Sequence, residues 1–189
     1  MVSVLVLYST GEGQTAKIAR RMTEVFGERG HDATAVNIEE RPSEVDIDDA
    51  DAVLVGASIH RGKQQPAAVN YVREHCAALA SKPTAFFQVS LASATEEGAI
   101  KAAEYIEAFL SETGWHPDRI GLFGGALRYS QYGFLTRVVV KQIVKRNYPE
   151  VATDHDVELT EWDEVDAFAA DFAAFVEGRV EETSEDAED

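Results

Sequence analysis

The chain has 189 residues, of which 45% are hydrophobic and 9% aromatic, which suits one compact domain with a buried core. This composition excludes a wholly disordered chain, and no run of 18 apolar residues predicts a membrane-spanning helix. The net charge is -17, from 34 acids against 17 bases. Such a charge argues against nucleic acid as a partner, because nucleic-acid binding needs a basic surface.

The cysteine content and the N-terminus bear on the compartment. The single cysteine, Cys76, cannot form an internal disulfide, and the first residues lack the basic start of a signal peptide, so we expect a cytoplasmic protein. The few lysines and many acids are typical of a halophilic protein from a high-salt cytoplasm, although an ordinary acidic protein has the same signature. The five histidines show no close ligand spacing, and we predict no metal site.

Apolar runs of strand type alternate with helical patterns along most of the chain. Helical periodicity follows the first run, starts again at Pro66, and spans 99–113, where Gly114 ends it. Connections of this length predict a parallel α/β sheet with helices on both faces. The predicted strands are 4–8, 33–38, 51–57, 83–90 and 119–125.

The C-terminal third departs from this alternation. An insertion of about 126–153 precedes a short strand-like piece, 154–159, and a last amphipathic helix for which Thr160 is the predicted N-cap. The acid-rich tail, 178–189, is predicted to be disordered, so residues 1–177 form the domain.

The loop after the first strand, 9–15, has the composition of an anion site. In an open parallel sheet, ligands bind beyond the carboxyl ends of the strands, and a helix N-terminus favours an anion there. Two glycines allow close backbone approach, while hydroxyl and amide side chains add donors without any lysine or arginine. This donor set suits a terminal phosphate monoester. The predicted phosphate-binding residues are Ser9, Thr10, Gly11, Gly13, Gln14 and Thr15.

This loop has several alternative interpretations. A Walker loop needs Gly-Lys-Ser/Thr, which is absent, and a phosphoacceptor receiver needs acids where Ser9 and Thr10 stand. Residues 11–16 do satisfy the dinucleotide pattern G-x-G-x-x-A, and Glu39 could then contact the ribose. A helix end capped only by hydroxyls is the remaining alternative.

Residues 6–19 resemble the FMN signature of the flavodoxin family, departing from it only at Met22 just beyond. The resemblance implies a flavodoxin-like three-layer α/β sandwich with a five-stranded parallel sheet in the order 2-1-3-4-5, an insertion after or within strand five, and bound FMN. It also implies that the loops after strands three and four flank the flavin ring. The residues predicted there are Ser58, Ile59, His60, Gly62, Ser90 and Leu91.

Three further stretches, 56–59, 115–119 and 124–129, look like the flavodoxin-type, menaquinone-dependent protoporphyrinogen IX oxidase family of bacteria. The resemblance implies an enzyme of haem biosynthesis that oxidises protoporphyrinogen IX to protoporphyrin IX and passes the electrons to a membrane quinone. Arg61 and Arg128 are then candidate contacts for the substrate carboxylates. No side chain is predicted as a catalytic acid or base, because the flavin carries the chemistry. The alternatives are a flavodoxin-type electron carrier and an FMN-dependent quinone reductase with a different substrate.

Two basic features favour the oxidase over the carrier. The strand-three loop holds His60, Arg61 and Lys63 without an acid, which favours negative charge on a reduced ring. Residues 119–149 contain six bases and no acid, and residues 128–148 are predicted to contact the membrane peripherally or the porphyrinogen. A core helix with solvated lysines is the alternative for that segment.

Overall fold

The computed structural model describes residues 1–40, 46–128, 141–142, 144–146 and 155–186. The strands are β1 Ser3–Ser9, β2 Asp32–Asn37, β3 Ala52–His60, β4 Lys63–Gln64, β5 Thr84–Ser90, β6 Arg119–Gly124, β7 Ala126–Leu127 and β8 Val157–Glu158. The helices considered below are α1 Gln14–Glu28, α2 Pro66–Glu74, α3 Cys76–Ala80, α4 Ala99–Thr113 and α5 Trp162–Asp186.

The main sheet is parallel in the order β2-β1-β3-β5-β6, with the two-residue β4 paired antiparallel to β3. This is the predicted 2-1-3-4-5 order, counted without the short strand β4. The fold class is therefore confirmed. The central strands β1, β3 and β5 are buried on both faces, as in other parallel sheets covered by helices, and this is why they consist of nearly continuous apolar residues.

Two apolar clusters cover the two faces of the sheet. On one face α1 and α5 pack together, with Phe26 and Phe172 in edge-to-face contact at 6.4 Å. On the other face lie α2, α3 and α4, where Phe86 stacks on Phe109 at 4.4 Å and Trp115 closes the cluster. Successive residues of the central strands β1, β3 and β5 enter opposite clusters, as the pleat requires.

The last helix corrects one sequence prediction. Thr160 is not its N-cap: the helix begins at Trp162, and the Thr160 hydroxyl instead donates to the carbonyl of Gly124 at 2.6 Å. The helix is described through Asp186, and Arg179 within it pairs with Asp118 at 3.5 Å and lies over the Phe175 ring. The disorder expected from residue 178 onward stays a prediction.

The predicted insertion lies mostly outside the described residues, and with it most of the segment expected to contact a membrane. Residues 141–142 and 144–146 are helical, and Val144 is buried. The strands β7 and β8 pair antiparallel, so they bring the two flanks of the insertion together. No helix among the described residues is long and apolar enough to cross a membrane.

Candidate functional site

The parallel strands bring three of the predicted site loops to one edge of the sheet. Ser9 at the end of β1 pairs with Ala57 in β3, and Ser58 in β3 pairs with Val89 in β5. The loops that follow β1, β3 and β5 therefore leave the sheet side by side, where open α/β sheets bind their ligands.

The end of β1 and the first turn of α1 each contribute a buried hydroxyl group beside the loop that joins them. Ser9 and Thr15 are both fully buried, and neither hydroxyl oxygen has a hydrogen-bond partner among the described residues. Burying a polar group without a partner is unfavourable, and at the carboxyl edge of a parallel sheet two such hydroxyls flanking one loop favour a ligand that completes them. Both hydroxyls belong to the predicted phosphate-binding set.

The backbone of this loop is shaped for an anion. Gly13 has a left-handed backbone (φ 89°), which only glycine adopts readily, and its N–H donates to the Thr10 hydroxyl at 3.0 Å. Helix α1 starts at the next residue without a side-chain cap, so its first backbone N–H groups face the loop. Free N–H groups, the positive end of the helix dipole and two spare hydroxyls together fit a phosphate monoester.

The side chain of Gln14 is already engaged inside the protein. Its amide nitrogen donates to Thr160 at 2.9 Å, and its oxygen accepts from Arg128 at 3.0 Å. The predicted phosphate contact from Gln14 is therefore available through its backbone N–H. Arg128, predicted to contact the substrate, lies at the N-terminus of α1.

The loop after β3 forms a tight hairpin. His60 pairs with Lys63, leaving Arg61 and Gly62 as a two-residue turn in which both have positive φ (51° and 79°). Two such residues are typical of a type I′ turn, in which a bulky residue like arginine is strained. The turn holds Arg61 exposed at the carboxyl edge. The three predicted bases of this loop thus lie on one hairpin.

Two glutamines that the sequence interpretation missed tie these loops together. Gln65 donates to the Ser58 hydroxyl at 3.2 Å and also lies close to Gly11. Gln64 donates to Gln88 at 2.7 Å inside the protein. The only sequence signal was a pair of amides just before Pro66, a pattern that has no specific meaning in a sequence.

The loop after β5 is held by its own side chains and by the end of β6. The hydroxyls of Ser90 and Ser93 lie 2.7 Å apart, and the Ser93 N–H donates to Ser90 at 3.0 Å. The Gly125 N–H donates to the Ser90 carbonyl at 3.0 Å. Leu91 is half-buried. The loop is therefore ordered by the protein alone, and its predicted contacts with a flavin ring stay predictions.

A family model described as a flavodoxin domain matches residues 5–154. The chain is 35% identical over 173 residues to the Escherichia coli (strain K12) protein named protoporphyrinogen IX dehydrogenase [quinone], covering 91% of this chain and 95% of that protein. The chain belongs to this family of flavodoxin-domain proteins. A Leishmania major protein of the same name is 36% identical over 175 residues, covering 90% of this chain and 74% of that protein.

Solved flavodoxin structures share the fold at low sequence identity. The oxidised flavodoxin of Bacillus cereus is 15% identical, with a TM-score of 0.52 over 93% of this chain and 97% of that chain. The Fusobacterium nucleatum flavodoxin bound to flavin mononucleotide is 12% identical, with a TM-score of 0.51 over 95% of this chain and 99% of that chain. The family prediction made from residues 6–19 is confirmed.

Proposed function

We propose that the protein is an FMN-dependent oxidoreductase that oxidises protoporphyrinogen IX to protoporphyrin IX with a quinone as electron acceptor. The observation that carries the proposal is the 35% identity, over 95% of its length, to a protein named for this activity. The loop supports the cofactor independently, because a phosphate would accept hydrogen bonds from the buried hydroxyls of Ser9 and Thr15, which have no partner among the described residues.

The protein's own groups have separate tasks in this activity. When bound, the flavin supplies two-electron redox chemistry, so the six-electron oxidation of the porphyrinogen takes three turnovers and three molecules of quinone. The loop after β1 would hold the phosphate through the hydroxyls of Ser9, Thr10 and Thr15, the backbone N–H of Gly11 and the first free N–H groups of α1. Hydroxyl and amide donors do this without bringing a base into the loop.

The hairpin after β3 supplies the electrostatics. Arg61 and Lys63 place two positive charges at the carboxyl edge, and no acid lies between Ala57 and Gln65 to offset them. Positive charge stabilises the negative charge that reduction brings to this edge, and it attracts a substrate that carries carboxylates. We assign Arg61 to substrate attraction on these grounds.

We also propose that the protein contacts a membrane surface. A membrane quinone is reached at the lipid surface, and residues 119–149 hold six bases and no acid in a chain of net charge -17. A basic segment of this kind is attracted to anionic lipid headgroups. Cosedimentation with vesicles of anionic lipid, and none with neutral vesicles, is the expected result. Equal binding to both vesicle types would contradict electrostatic attachment.

The test of the activity is anaerobic mixing in high salt. The purified chain should show a flavin spectrum, lose it on mixing with protoporphyrinogen IX, and regain it when a quinone is added. A chain that binds FMN but stays oxidised with the porphyrinogen would contradict the oxidase activity. If a quinone then reoxidised chemically reduced protein, the quinone-reductase alternative would take its place.

A further inference from the structure

A polar cluster joins the N-terminus of α1 to the two flanks of the insertion. Gln14, the first residue of α1, donates to Thr160 and accepts from Arg128. Thr160 in turn donates to Gly124 at the end of β6. Gln14 is 4% exposed and Thr160 8%, so this part of the cluster is buried. Gln14 is 146 residues from Thr160 in the sequence and 114 residues from Arg128.

The loop of residues 9–15, called the anion loop below, lacks a positive charge of its own, and Arg128 lies beside it. Residues 9–15 contain one acid, Glu12, and no base. A phosphate monoester carries about two negative charges near neutral pH. The guanidinium of Arg128 is held 3.0 Å from the side-chain oxygen of Gln14, whose own backbone N–H belongs to the helix end that faces the loop. The arginine side chain is 20% exposed, so water screens its charge only in part.

Glu158 opposes this charge. Its carboxylate accepts from Lys17 at 2.7 Å, from Arg128 at 3.5 Å and from Trp162 at 3.1 Å. Burial raises the pKa of Glu158, but the hydrogen bonds from Lys17 and Trp162 outweigh burial and hold that pKa below its usual value. Glu158 is therefore ionised at neutral pH and offsets part of the positive charge beside the loop.

We infer that Arg128 strengthens the preference of the anion loop for a phosphorylated flavin, with Glu158 as the opposing charge that limits it. This inference rests on the proposed function, because it takes the ligand of the loop to be FMN. It also gives Arg128 a different task from the contact with substrate carboxylates expected from the sequence. The position of Arg128 next to Gln14, at the same helix end as the unpartnered hydroxyls of Ser9 and Thr15, carries the argument.

The experiment compares FMN with riboflavin, which has the same ring but no phosphate. Dissociation constants for both are measured on the flavin-free full chain by quenching of flavin fluorescence. Arg128→Met should weaken FMN binding about three- to tenfold, the size of one partly screened charge, and leave riboflavin binding unchanged. Arg128→Lys keeps the charge and should recover most of the loss. Glu158→Gln should strengthen FMN binding about threefold, again without effect on riboflavin.

A matched control removes the same charge elsewhere. Arg73 is exposed at the end of α2, on the opposite face of the sheet, and Arg73→Met should change neither constant. Raising the salt concentration should reduce the difference between wild type and Arg128→Met, because salt screens the charge.

Three results would overturn the inference. The first is an equal loss of FMN and riboflavin affinity in Arg128→Met, which marks a structural role; the second is an unchanged FMN affinity. The third is weaker FMN binding in Glu158→Gln. Because these are binding measurements, a chain that follows the expected pattern but does not oxidise protoporphyrinogen would contradict the proposed activity alone. A wild-type chain that binds neither flavin would contradict both.

Discussion

Removing the Thr15 hydroxyl should have opposite effects on the flavin-free protein and on flavin binding. Thr15 is fully buried on α1, and its hydroxyl has no partner among the described residues. Valine has the same shape with a methyl group in place of the hydroxyl. Thr15→Val therefore removes an unsatisfied polar group from the flavin-free protein and a donor from the phosphate site.

The two effects have different sizes. An unsatisfied buried hydroxyl costs about 1–3 kcal/mol, so we expect the flavin-free variant to be more stable by about 1 kcal/mol, which raises Tm by about 2–4 °C in a domain of this size. A hydrogen bond to a charged group contributes about 1.5–3 kcal/mol, so FMN binding should weaken about tenfold to a hundredfold. Thermal unfolding without flavin and fluorescence titration with FMN measure the two quantities.

Thr113 provides the matched control. It is also a buried threonine in a helix, but its hydroxyl donates to Phe109 at 2.8 Å. Thr113→Val should lower the Tm and leave FMN affinity unchanged. The reasoning is refuted if Thr15→Val lowers the stability of the flavin-free protein and keeps the FMN affinity, because the hydroxyl would then be satisfied within the protein.

Three further predictions concern stability. Hydrogen bonding from Arg29 lowers the pKa of Glu177, so this pairing stabilises the protein fully above the unfolded carboxyl pKa of about 4.3, and the stabilisation is lost as pH falls through the lower folded pKa. The Tm of Glu177→Gln should therefore lie below that of wild type at pH 7 and converge with it in acid. A Tm difference that stays constant with pH would contradict this. Arg61→Asn should raise the Tm by about 2–4 °C, because asparagine tolerates positive φ better than arginine, and an unchanged Tm would show that the turn is unstrained. The same variant should raise KM for the porphyrinogen, because it removes the positive charge assigned to substrate attraction. A Cβ on Gly124 would overlap the carbonyl oxygen of Leu159, so Gly124→Ala should cost about 1–3 kcal/mol in chemical unfolding, and a neutral result would show that this junction can shift.

The parts of the fold predicted correctly from the sequence are those whose signals are local. The predicted helix 99–113 has the observed bounds because Gly114 takes the left-handed conformation (φ 70°) that ends it. A phosphate site could be predicted at residues 9–15 because its donors are consecutive in sequence, and that site stays a prediction. The contacts of Gln14 with Thr160 and Arg128 were not visible, because they depend on how distant segments pack.

Thr160 shows how a local signal can mislead. A threonine before a helical pattern favours an N-cap, but here its hydroxyl donates to strand β6 and accepts from the side chain of Gln14. Tertiary contacts override the local preference. The disorder expected for the acid-rich tail from residue 178 stays a prediction.

The pairing of β7 with β8 has a consequence for how such proteins diversify. Ala126 lies opposite Glu158 and Leu127 opposite Val157, so the segment that joins β7 to β8 begins and ends on paired residues of one β-ladder. Closing a longer segment adds little entropy cost, about 0.6 kcal/mol for each doubling of its length. Evolution can therefore lengthen, shorten or exchange the segment that joins β7 to β8 while the sheet and the anion loop keep their geometry.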